Sequence, residues 1–168
     1  RRRGISIIYQ QNNLLSDFTA LENVMMPLLN NGFSQKDSRI KARKTLSLVK
    51  LSERIDHFPS ELSGGEQQRV AVARLIVQDP SIIIADEPIA SLDPARSREI
   101  MSLIVDVAES GKKTLISSIH SNEIIENFFD RTIAIRQGSI LFDIPTSSLT
   151  DERLNQLYRI QIDSDTSF

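Results

Sequence analysis

Two stretches of this 168-residue chain combine residue types that could handle a phosphate and a water. The first is Ile82-Ile83-Ile84-Ala85-Asp86-Glu87, an apolar run closed by two acids. A buried strand ending in paired carboxylates sets them at the carboxyl edge of a parallel sheet, where open α/β folds bind ligands. One carboxylate can hold Mg²⁺ through a water, and the next can polarise an attacking water. The second is Leu62-Ser63-Gly64-Gly65-Glu66, ahead of an apolar helix. Its glycines permit close backbone approach, and the first-turn amides with the helix dipole attract an anion. Each has a plainer alternative: acids that end a strand in solvent, and a serine-capped helix with glycines for a tight entry. His120 closes another apolar segment, where ligand contacts are expected, whereas His57 in the polar stretch 54–60 has no such context.

The elements that must hold these residues can be read from periodicity. Ile5, Ile7, Ile8 and Tyr9 predict a short strand that ends at Gln10-Gln11. Thr19-Ala20-Leu21-Glu22 reads as a capping box opening a helix. Ser34-Gln35-Lys36-Asp37 opens a second, basic helix with few apolar residues, expected to be exposed and solvated rather than a nucleic-acid patch. Met25 and Met26 are expected to pack or to form a contact surface. Residues 66–77 predict a helix buried on most sides, and residues 81–85 a fully buried strand. Asp93-Pro94 opens a helix whose Ile100, Leu103, Ile104, Val107 and Ala108 share one face, with Gly111 just past its end. Residues 114–119 predict another buried strand, residues 122–129 a short helix, and 131–136 with 139–142 a hairpin about Gln137-Gly138. A last helix is expected over 152–160, with a frayed tail at 163–168. Strand and helix alternate from residue 81 onward, which predicts an α/β fold with a parallel sheet.

Composition narrows the class. Hydrophobic residues are 40% and charged residues 25% of the chain, as in a globular protein. Lys plus Arg is 20 against 22 for Asp plus Glu, so no bulk electrostatic grip on nucleic acid is expected. The absence of cysteine excludes disulfides, thiolate metal sites and a catalytic thiol. No apolar run approaches the roughly 20 residues of a membrane-spanning helix. Nor does a signal region follow Arg1-Arg2-Arg3, a segment expected to be solvated rather than lipid-bound. A soluble, intracellular domain is the expectation.

Taken together, the motifs resemble the ATP-binding subunit of ABC transporters. The resemblance rests on Leu62-Ser63-Gly64-Gly65-Glu66-Gln67-Gln68-Arg69-Val70-Ala71, then Ile84-Ala85-Asp86-Glu87-Pro88 and Ser91-Leu92-Asp93. Tyr9-Gln10 with Asn13-Leu14-Leu15 and Ala20-Leu21-Glu22-Asn23-Val24 is similar to the family's Q-loop region, and Ser117-Ser118-Ile119-His120 to its switch-histidine strand. It implies a P-loop NTPase-type parallel sheet core, incomplete here, with a small helical subdomain over 16–80. The core's C-terminal part would span 81–143, and a helix and tail 144–168. It also implies ATP and Mg²⁺ as cofactors. Asp86 would support Mg²⁺, and Glu87 would be the general base. Gln10, rather than Gln11, would sense Mg²⁺ and the γ-phosphate and link the site to the permease. His120 would contact the γ-phosphate. Ser63, Gly64, Gly65 and Glu66 would bind nucleotide held by a partner subunit, and Asp93 would cross that interface. The implied partners are a second ATPase subunit, identical or not, transmembrane permease subunits and a substrate-binding protein, at the cytoplasmic face of the cell membrane.

One family motif is missing. The phosphate loop G-x-x-x-x-G-K-[ST] is found at none of Gly4, Gly32, Gly64, Gly65, Gly111 and Gly138. The adenine-stacking aromatic that precedes it in the family is missing too. This chain alone is therefore expected to bind ATP poorly and not to hydrolyse it, and truncation upstream is the economical explanation. Within the family the two halves point apart. Residues 85–94 and the ending Arg136-Gln137-Gly138, Phe142-Asp143, Asp151-Glu152-Arg153-Leu154 and Leu157-Tyr158 are similar to phosphonate-import ATPases. Asp17-Phe18-Thr19-Ala20-Leu21-Glu22-Asn23-Val24 and Pro27-Leu28-Leu29 are similar to lipoprotein-release or macrolide-export ATPases. Phosphonate import is preferred on the longer matching stretches. A DNA-repair or chromosome-clamp ATPase is disfavoured, because too few residues separate Gln10 from Leu62 for a coiled coil. A non-catalytic remnant is the remaining rival.

Overall fold

Strand β1 (Ile5–Ile8) runs parallel to β2 (Ile82–Asp86), and β2 runs parallel to β3 (Thr114–Ser118), in that spatial order. These elements belong to a computed structural model that describes residues 4–10 and 13–158. Arg1-Arg2-Arg3, Gln11, the tail 163–168 and the end of the last expected helix lie outside the described residues. The register sets Ile5 beside Ile82, Ile7 beside Ile84, Ile84 beside Ile116 and Asp86 beside Ser118. The α/β fold with a parallel sheet is therefore present as the alternation predicts.

The helices form where local chemistry starts them. Thr19 and Glu22 make the reciprocal capping box ahead of α1 (Ala20–Asn30). Ser34 accepts from the Asp37 N–H to start α2 (Gln35–Leu48). Ser63 and Glu66 box the start of α3 (Gly64–Gln78), and Asp93 caps α4 (Pro94–Ser110) with Pro94 at its first position. Helices α1, α2 and α3 share one core in which Leu21, Val24, Leu46, Val49, Leu51 and Val70 are buried. On α2 the outward residues Ile40 and Leu48 are exposed, so the basic helix is solvated on its far side as expected. Met25 packs into this core, while Met26 is half-buried.

The strands correct one expectation. The sequence predicts β2 and β3 to be buried throughout, but each alternates, β2 between buried and half-buried residues until the exposed Asp86 and β3 between half-buried and exposed ones. Ile8, Ile83 and Ala85 are buried on the face that packs against α3 and α4. On the opposite face Ile5 and Ile7 are exposed and Ile116 is 57% exposed. A continuous apolar run signals a strand fit to be covered on both faces; among the described residues only one face has helices on it.

The described chain divides after His120 into two compact units. The second holds α5 (Asn122–Phe128), β4 (Arg131–Arg136), β5 (Ser139–Pro145) and α6 (Asp151–Tyr158). β4 and β5 form the expected antiparallel hairpin. Gln137 at φ 49° and Gly138 at φ 77° make its two-residue turn, whose left-handed backbone matches the twist of the strands. Arg131 grips Asp143 across the hairpin with both Nε, at 2.8 Å, and Nη2, at 2.6 Å.

Candidate active site

The carboxyl ends of β2 and β3 bring together Asp86, Glu87 and His120. Asp86 is the last residue of β2 and lies exposed; Glu87 follows it half-buried. Glu87 adopts a left-handed backbone, φ 44°, which costs a side-chain-bearing residue about 1–3 kcal/mol. This bend turns the chain out of the sheet and aims the Glu87 side chain toward the end of β3. There Glu87 Oε1 lies 2.8 Å from His120 Nε2. The His120 side chain is 74% exposed, so it does not close a buried strand as expected; β3 ends at Ser118 and His120 stands on the open rim.

Ser118, to which no role was assigned, joins this group. Its Oγ donates to Asp86 Oδ1 at 2.7 Å and accepts from the Glu87 N–H at 2.9 Å. The only sequence signal for it is a hydroxyl in an otherwise apolar strand; the register that sets it opposite Asp86 is a property of the folded sheet. Gln10 is exposed at the corresponding end of β1. Arg74 on α3 donates from Nη1 to the Asn13 carbonyl at 2.8 Å. Burial holds the Arg74 pKa below its ordinary value.

A second group forms at the start of α3. Ser63 Oγ donates to Glu66 Oε2 at 2.8 Å, the Ser63 N–H donates to the same oxygen at 2.8 Å, and Arg54 Nε reaches Glu66 Oε1 at 3.0 Å. The Ser63 N–H and hydroxyl, helped by Arg54, hold the Glu66 carboxyl below its ordinary range. The first-turn N–H groups of Gly64 and Gly65 have no acceptor within the helix, as at any helix start. A depression of about 250 Å³ separates this start from that of α4, with Ser63, Gly65, Arg69 and Arg96 on its walls. Asp93 lies at the α4 side, accepting from the Arg96 N–H at 3.1 Å. The two groups are connected through Gln68 on α3, whose amide donates to the Pro88 carbonyl one residue after Glu87.

The glycines are not demanded by this chain's own packing. Neither Gly64 nor Gly65 has a positive φ. A Cβ on Gly64 would meet Leu92 Cδ2 at 3.9 Å, and one on Gly65 would meet Arg96 Cδ at 3.5 Å, both ordinary contacts. Two glycines in a first turn where alanine would fit are a cost to the helix.

The donor set suits a Mg²⁺ that arrives with a phosphate ligand. Asp86 has Oδ1 engaged by Ser118, which leaves Oδ2 to accept from a metal-bound water. Among the described residues no cluster of three or more His, Cys, Asp or Glu could cage a metal by itself. Mg²⁺ commonly keeps several waters and takes one or two carboxylates plus phosphate oxygens, so a single carboxylate is compatible.

The chain has relatives among known proteins. A family model described as ABC transporter matches residues 1–90, just over half of the chain. A phosphonates import ATP-binding protein, PhnC 1 of a Nostoc species, is 39% identical over 165 residues, covering 94% of this chain and 62% of that protein. A lipoprotein-releasing system ATP-binding protein, LolD of Treponema denticola, is 50% identical over 124 residues, covering 74% of this chain and 55% of that one. The chain thus spans roughly three-fifths of the length of the relatives it matches. Among solved structures, a dimeric ATP-binding cassette in a post-hydrolysis state with ADP and phosphate bound superposes with a TM-score of 0.76. It is 35% identical, and the match covers 87% of this chain and 64% of that one.

Proposed function

Because the chain belongs to the ABC transporter family of ATP-binding domains, we propose that it supplies the hydrolytic edge and the signature helix of a subunit that hydrolyses ATP to drive transport through a permease. The observation that carries this reading is the 2.8 Å contact of Glu87 with His120, beside Asp86 at one sheet edge. Glu87 would orient the hydrolytic water and accept its proton. Asp86 would hold Mg²⁺ through a water. When bound, the metal neutralises charge that develops on the transferred phosphoryl group. His120 would contact the γ-phosphate, which requires its Nε2–H to leave or share the Glu87 carboxylate. Gln10, at the end of β1, would sense the same phosphate and pass its state toward the permease.

The signature group would act on nucleotide held by a second ATPase subunit. The ordinary space around Gly64 and Gly65 supports this: the chain's own packing would admit a Cβ at both, and bare backbone there leaves room for a partner's phosphate to approach closely. The first-turn amides are the donors for its phosphate, and Ser63 can add its hydroxyl by releasing Glu66. Asp93, the cap of α4, whose Arg96 lines the same depression, would take part in that interface. The phosphate loop, absent from this sequence, would come from further polypeptide of the same subunit, and the chain by itself would not turn over ATP.

For the transported substrate, phosphonate import is preferred, because the similarity to PhnC runs over nearly the whole chain. Lipoprotein release is the second reading, favoured by the higher identity to LolD over a shorter stretch. Replacing Glu87 with Gln in the whole natural protein tests the hydrolytic assignment. Turnover should be lost while ATP binding and ATP-dependent dimerisation persist. Complementation of a strain lacking its phosphonate importer, against one lacking its lipoprotein-release ATPase, separates the two substrates.

A further inference from the structure

Asp86 and Glu87 are neighbours in sequence, and a shared contact decides how they stand. Ser118 is the register partner of Asp86, so the two side chains project on the same face of adjacent parallel strands. A backbone N–H can only donate, so Ser118 Oγ accepts from Glu87 at 2.9 Å. Its single proton is then free for Asp86 Oδ1 at 2.7 Å. Both bonds run to consecutive residues across the point where the backbone leaves the strand at φ 44°.

That left-handed turn is costly and persists only where its surroundings hold it. Ser118 supplies such a hold at the backbone. Two residues later, His120 meets the Glu87 side chain. The end of β3 thus grips Glu87 at both its main chain and its carboxylate, while fixing one oxygen of Asp86.

We propose that Ser118 is the positioning residue of the Asp86–Glu87 pair. Its hydroxyl pins the turn that aims the Glu87 carboxylate, and it orients Asp86 so that Oδ2 faces the ligand side. This rests on the reading that Glu87 orients the hydrolytic water. Ser118 itself need touch neither nucleotide nor water.

The test compares Ser118→Ala, Ser118→Thr and Glu87→Gln in the whole natural protein, with ATP and Mg²⁺ as the probe. It reads steady-state kinetics and amide hydrogen exchange over residues 84–90 without nucleotide. Ser118→Ala should lower kcat about 10- to 100-fold with KM for ATP little changed, as expected of a misaligned group. Exchange at the Glu87 amide should rise. Ser118→Thr, which keeps the hydroxyl, should restore both. Wild-type kcat and unchanged exchange in Ser118→Ala would overturn the proposal, as would a Thr variant no better than Ala. Faster exchange throughout the sheet would assign Ser118 to folding and overturn it equally. If Glu87→Gln keeps its turnover, the base assignment itself fails; if that variant is inactive while Ser118→Ala is unaffected, only the role of Ser118 fails.

Discussion

His120 Nε2 stands 2.8 Å from Glu87 Oε1, across the ends of two adjacent parallel strands. Both residues lie just past the strand ends, Glu87 directly after β2 and His120 two residues after β3, and the strands beneath them are tied by Ser117 Oγ, which donates to the Ala85 carbonyl. In the whole protein, His120→Ala should reduce kcat on the order of 10²-fold, the usual loss of one positioned polar contact at a reacting group. Nucleotide affinity should change little, which equilibrium binding of a labelled ATP would check.

Gly65→Ala separates folding from function. The added methyl fits at 3.5 Å from Arg96 Cδ, and alanine is the better helix former by up to about 1 kcal/mol. Chemical denaturation should find the variant as stable as the parent or slightly more so. ATP-dependent dimerisation and turnover should nevertheless fall. A variant both stable and fully active would contradict the docking of a partner's phosphate on this helix start.

The capping box at α3 sets a pH dependence. The folded pKa of Glu66 is held below its ordinary value of 4.5, chiefly by the Ser63 N–H and hydroxyl. Its ionised form therefore stabilises the fold at pH values above 4.5, and that contribution is lost as pH falls through the depressed value. Melting temperatures measured from pH 6 down to pH 3 should fall less steeply in Glu66→Gln than in the parent. Ser63→Ala should cost about 1 kcal/mol at neutral pH through the lost cap.

The two faces of the sheet should respond differently to truncation. Ile83 is fully buried and Ile116 is 57% exposed. In this chain, Ile83→Ala should cost about 2–5 kcal/mol, and Ile116→Ala less than about 1 kcal/mol. Urea unfolding of the two variants measures the difference. Equal losses would mean that the face bearing Ile116 is covered.

Much of this organisation is legible in the residues themselves. The boxes at Thr19–Glu22 and Ser63–Glu66 and the Asp93-Pro94 start are local chemistry, and all three form as read. The hairpin about Gln137-Gly138 is legible for the same reason. What a linear reading misses depends on neighbours distant in the chain. Ile82-Ile83-Ile84 states that a strand is apolar, not which of its faces helices cover. Nothing at Ser118 states that it will stand opposite Asp86, because register is fixed by strand pairing. The left-handed backbone of Glu87 is likewise unreadable, since the cost of that turn is offset only by contacts that exist in the fold.

The most direct test of the central assignment is single-turnover ATP hydrolysis by the whole natural protein carrying Glu87→Gln. The expected result is a hydrolysis rate lowered on the order of 10²- to 10⁴-fold, with ATP and Mg²⁺ still bound in a stable dimer. Hydrolysis at the parent rate would contradict it and remove Glu87 from the chemistry.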